Sequence, residues 1–215
     1  MSHLHLRSVL GSLTKHLNEM QQLAVGADQW VTITFPKGVP KFSARHKEIV
    51  TELVFLRIFL AWEAFLDESF ILYLLGKKPP TGKRPHRLHK PPTRKTAVRL
   101  VTGGDREYAD WTDIPILVKR ANQYFQNGEP YSQVLKSQQN FFQQMKIIRN
   151  AIAHTSGFSK EKFKKLIRDE LTIYPSKLTV GGFLTMTKQG SSPPESFLES
   201  YLSKIHFAAQ RIVPN

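Results

Sequence analysis

The chain has 215 residues, 40% of them hydrophobic and 22% charged, so it is neither a disordered polar chain nor a membrane-buried one. Its 31 Lys and Arg against 17 Asp and Glu leave a net charge of +14, which points first to polyanionic partners. With no cysteine, disulfides, thiolate metal sites and cysteine nucleophiles are all excluded.

The first residues carry no continuous apolar run of the kind a signal peptide needs. The most apolar stretch, 53–75, is interrupted by Arg57, Glu63, Asp67 and Glu68 and falls short of a membrane span. A cytoplasmic protein with no membrane partner is therefore expected. Leu6, Leu10, Leu13, Leu17 and Met20 make one apolar stripe, predicting a helix that ends near Gly26. The alternation in WVTITF, 30–35, predicts a short extended piece before Pro36 and Pro40. Residues 44–75 lack Pro and Gly altogether, which predicts one long helix capped by Gly76.

Residues 77–99 differ in kind. They hold nine Lys or Arg, two His and five Pro without one acid, which predicts an exposed, extended loop. Such length suits a functional loop or a solvated linker. Asp113 followed by Pro115 opens a further helix that closes at Asn127–Gly128. The spacing of Phe141, Met145, Ile148 and Ile152 predicts a helix from about Tyr131 to His154, and a short helix is expected over 159–170. The β-branched, Gly-punctuated run 171–187 predicts a small hairpin, and a last helix follows Pro194. The sum is an all-α helical bundle with a basic Pro-rich loop and a small β-hairpin near the C-terminus.

The end of the 131–154 helix reads Arg149-Asn150-Ala151-Ile152-Ala153-His154. This resembles the R-x(4–6)-H signature of the HEPN superfamily of helical-bundle proteins, many of which are RNases. Residues 59–68, FLAWEAFLDE, are similar to an earlier core helix of that superfamily, which carries an acid in the RiboL-PSP-type branch. The resemblance implies a single HEPN-like domain over 1–215. Its core would be 44–157 with an insertion at 77–105, an N-terminal segment 1–43 before it and a C-terminal segment 158–215 after it. It also implies homodimers whose two Arg–His motifs share a cleft, and a toxin or phage-defence setting with an antitoxin or defence-complex partner. Related toxins carry Tyr two residues after the His. Ser156 stands there in this chain, so control by modifying that tyrosine is not expected.

On a straight helix, five residues turn through about 500°, leaving Arg149 and His154 roughly 140° apart. Either the helix unwinds near Thr155–Gly157 and swings His154 round, or two chains share the site. The chemistry needs no cofactor or metal, because RNA carries its own nucleophile in the 2′-OH. His154 would move protons, as an imidazole can do in both directions near neutrality. Arg149 would stabilise the phosphorane with its planar fork of donors, and Asn150 would orient His154 or a phosphate oxygen. Glu63 would fix the guanidinium, with Asp67 and Glu68 competing for that role. The products would be a 2′,3′-cyclic phosphate and a 5′-OH.

Lys77, Lys78, Lys83, Arg84, Arg87, Lys90, Arg94, Lys95 and Arg99 are candidate RNA-binding residues that would neutralise phosphates without reading sequence. Phosphate-loop, dinucleotide, serine-hydrolase and H-E-x-x-H patterns are all missing. The alternative to an endoribonuclease is a non-catalytic HEPN-like module that binds nucleic acid or protein.

Overall fold

The computed structural model describes residues 5–34, 37, 41–104, 109–154, 156–171, 175 and 177–215. Among them are the helices α1 (Leu6–Thr32), α2 (Ala44–Leu74), α3 (Arg94–Thr102), α4 (Ile114–Tyr124), α5 (Tyr131–Ser137), α6 (Gln139–Ala153), α7 (Gly157–Leu171), α8 (Val180–Thr185) and α9 (Phe197–Ile212). No strand occurs among the described residues, only isolated bridges at Arg87–Phe125 and Thr187–Ser196. No helix among them is long and apolar enough to cross a membrane.

The chain folds into two compact units. The first comprises residues 1–15, 61–143 and 205–215, the second 16–60 and 144–204. In the first, Phe70 is the centre of an aromatic cluster. Its ring lies 5.3 Å from Trp111, 5.0 Å from Phe125 and 5.1 Å from Tyr131. Two phenols buried in that cluster are partnered: Tyr73 donates to the Ile212 carbonyl at 2.7 Å, and Tyr131 lies 3.0 Å from Ser69 Oγ. Burial raises the pKa of both, so they stay neutral and act as wedges that carry one polar atom. In the second unit, Phe183 stacks on Phe197 at 4.3 Å and meets Phe163 edge-on at 5.8 Å.

Several elements depart from the sequence pattern. The first helix does not stop near Gly26 but runs on to Thr32, which places the first residues of the expected extended piece in helix. Tertiary contacts hold the extension: Ala27 is buried, Asp28 pairs with Lys47, and Trp30 packs edge-on against Phe42 at 5.5 Å. Phe35, Pro36 and Pro40 lie outside the described residues. The predicted 131–154 helix is two helices broken at Gln138, whose ψ of 23 leaves the helical range.

The hairpin expected over 171–187 is absent from the described residues. Val180–Thr185 is a helix there, and 172–174 and 176 lie outside the description. The Gly pair serves packing rather than a turn. Thr179 caps α8 by accepting from the Gly182 amide at 2.9 Å, while the Gly181 amide donates to Glu52 at 3.0 Å. A Cβ on Gly181 would come within 2.2 Å of the Glu48 carbonyl oxygen, so only glycine lets α8 sit against α2 here.

Candidate functional site

Within the second unit, α6 buries Met145 and Ile148 completely. That sets the neighbouring Arg149 and Asn150 half-buried at the edge of the packed face. The helix ends at Ala153. His154 lies just beyond it, exposed, although its amide still donates to the Asn150 carbonyl at 3.0 Å. Arg149 Nη1 donates to Asn150 Oδ1 at 3.1 Å and lies 3.4 Å from His154 Nε2. The gap left by straight-helix geometry is closed within one chain, by the long arginine stem and by the departure of His154 from the helix. For Arg149 to donate, Nε2 must carry the lone pair, which puts the imidazole proton on Nδ1. At 3.4 Å this contact is long and easily exchanged for one to a ligand. Among the described residues, Nε and Nη2 of Arg149 meet no acceptor.

α7 begins at Gly157. Ser156 accepts from the Ser159 amide at 3.3 Å, and its carbonyl accepts from the Lys160 amide at 3.2 Å. Thr155, in the segment expected to unwind, lies outside the described residues. Phe158 follows with 71% of its surface exposed, and Lys162 Nζ sits 4.3 Å above its ring. No catalytic or binding motif in the sequence includes this residue. A signal was present: α7 buries Phe163, Leu166, Ile167 and Leu171, and Phe158 falls off that stripe.

Of the three acids considered as support for Arg149, all lie on α2 in the first unit. Glu63 is half-buried there. Asp67 accepts from Trp111 Nε1 at 3.1 Å, and Glu68 pairs with Arg94 at 2.5 Å. Burial first, then the Glu68 charge, raises the Asp67 pKa above the usual carboxylate range.

The basic segment is built rather than loose. It is an extended loop only as far as Thr93, which caps α3 by accepting from the Thr96 amide, so Arg94, Lys95 and Arg99 are helical. The prolines that forbid helix stop at Pro92, and the pattern after them was hidden by the run of charge. Pro79 and Pro91 are buried. The loop bonds along its length: Thr81 N–H to the Pro214 carbonyl at 3.2 Å, Leu88 N–H to the Tyr124 carbonyl at 2.9 Å, and Gln126 N–H to the His86 carbonyl at 3.0 Å. Arg84 donates to the Gly76 carbonyl at 3.1 Å and Arg87 to the Leu74 carbonyl at 2.8 Å. Lys78, Lys83, Lys90, Lys95 and Arg99 are exposed and Lys77 half-exposed, and none of the six has a partner among the described residues.

A scan against family models, a search of curated proteins and a search of solved structures each returned no match to this chain.

Proposed function

We propose that this protein is an endoribonuclease that cleaves RNA through its own 2′-OH. The observation that carries the reading is the approach of Arg149 Nη1 to His154 Nε2 at 3.4 Å, at an exposed helix end of a chain with net charge +14. His154 accepts the 2′-OH proton as the oxygen attacks phosphorus, and the P–O5′ bond breaks. The leaving oxygen takes up a proton, giving a 2′,3′-cyclic phosphate and a 5′-OH. Arg149 offers the developing phosphorane charge two nitrogens that meet no acceptor among the described residues, and Asn150 holds the third in position. General acid–base catalysis of this kind is worth about 10²–10⁴-fold.

One imidazole cannot be base and acid in the same instant. By its resemblance to HEPN RNases, a second copy of the chain would bring a second Arg–His pair to the scissile phosphate. A toxin or defence setting, with a restraining partner, rests on that resemblance alone. The fold proposed with it is an HEPN-like bundle.

The test is cleavage of a labelled structured RNA in EDTA by wild type and by His154→Ala, with analysis of the product ends. Cyclic-phosphate ends made by the wild type and lost in the variant are the expected result. Equal cleavage by both would move the chemistry elsewhere. Binding without cleavage would leave the non-catalytic module.

A further inference from the structure

The nine cations of the basic segment divide into two groups. Arg84, Arg87 and Arg94 end on the protein itself, at the Gly76 and Leu74 carbonyls and the Glu68 carboxylate. They fix the segment's path. The other six, Lys77, Lys78, Lys83, Lys90, Lys95 and Arg99, are left without partners among the described residues. Lys95 and Arg99 stand one turn apart on α3. With Thr96, Leu100, Gly103 and Gly104 they line an open depression of about 640 Å³.

Exposed cations held on a pinned backbone can meet an anion at little ordering cost, because the entropy of ordering the loop has already been met by its prolines and backbone bonds. The chemistry of the anion follows from what surrounds the charges. Protein interfaces place aromatic anchors at their centre and deplete lysine there. Here the only large apolar side chain exposed among the described residues of the segment is Leu88, with Leu100 just beyond its end. A chain of phosphates asks for spaced cations and no anchor.

We infer that the 77–99 segment is a preformed grip for the phosphate backbone of RNA, in which Lys77, Lys78, Lys83, Lys90, Lys95 and Arg99 contact phosphates and Arg84, Arg87 and Arg94 hold them in place. This deepens the reading above by naming how the substrate is held, and it rests on that reading only for the choice of RNA as the polymer.

The test measures binding of the full chain to a labelled single-stranded RNA across a salt series. A first variant carries Gln at the six gripping positions. A charge-matched control carries Gln at Lys41, Arg45, Lys136, Lys164, Lys165 and Arg168. Wild-type affinity should fall steeply with salt, and the first variant should lose about 4 from the slope of log affinity against log salt if all six engage. The control should keep the wild-type slope, and both variants should melt as the wild type does. An equal loss in the control would overturn the grip, as would tighter binding to phosphatidylserine vesicles than to RNA. Arg87→Lys, which keeps the charge, should lower the melting temperature without changing the salt slope.

Cleavage assayed on the same samples separates the two proposals. Binding lost in the first variant, from a wild type that never cleaves, keeps the grip and removes the nuclease. His154-dependent cleavage, with binding unchanged in the first variant, does the reverse.

Discussion

Two helices of this chain end in opposite ways. At the end of α2 every freed carbonyl is taken up. Gly76, with φ of 81, lets Lys77 N–H reach back to the Leu72 carbonyl at 3.0 Å and its own N–H reach the Tyr73 carbonyl at 2.9 Å. Arg87 and Arg84 then cover the Leu74 and Gly76 carbonyls. At the end of α6 the polar side chains turn to one another instead. Arg149 meets Asn150 and His154, and two of its nitrogens meet no acceptor among the described residues. An arginine that closes a helix end is architecture. One whose donors remain available, beside an imidazole, is equipped for a ligand. Charge alone does not tell them apart; the destination of the donors does.

The sharpest way to break that comparison is at His154. His154→Ala should lower RNA cleavage by about 10²–10⁴-fold while leaving the melting temperature unchanged. A matching loss of stability would make α6 another structural terminus. Arg87→Ala should act the other way. Removing a charged donor from the Leu74 carbonyl should cost about 1.5–3 kcal/mol in urea denaturation, with little effect on cleavage per folded molecule. On the proposed nuclease reading, Phe158, exposed four residues beyond His154, offers a ring on which an RNA base stacks. Phe158→Ala should therefore raise the KM for RNA in line with the ~1–3 kcal/mol that stacking one base contributes, while kcat and stability hold.

The smallest effect belongs to Asp67, two turns before the end of α2. Its pKa is raised in the folded protein, so the folded state binds that proton more tightly than the unfolded chain. The stabilisation is therefore fully present below the ordinary carboxylate pKa of about 4 and is lost as pH rises through the folded value. Asp67→Asn, which keeps an acceptor for Trp111, should melt higher than wild type at neutral pH, and the difference should close as pH falls below about 4. A gap that widens in acid would reverse the sign of the Asp67 contribution.

What the sequence disclosed follows the reach of its signals. The start of α4 at Asp113 and Pro115 and the end of α2 at Gly76 were legible because cap chemistry is local. The length of α1 was not, because the residues that carry it past Gly26 find partners, such as Lys47 and Phe42, that are distant in sequence. The β-branched and Gly-rich run before α9 misled for the same reason, since Gly181 answers to the Glu48 backbone and not to its own neighbours. At the site, it was the resemblance to the R-x(4–6)-H signature that pointed to Arg149, Asn150 and His154. The rotamer that brings guanidinium and imidazole to 3.4 Å is a tertiary fact that helix arithmetic does not contain. Charge counting named nine basic residues but could not divide them, because that division depends on which carbonyls lie within reach.

Gly11 and Gly26 sit inside α1, and a Cβ added at either would meet nothing within 4 Å. Alanine at each should add roughly 0.5–1 kcal/mol to helix stability. Gly11 falls in the first unit and Gly26 in the second, so the two substitutions are separate handles on one melting curve. If either one moves the whole transition, the protein unfolds as a single cooperative body; if each moves only part of it, the transition resolves into two.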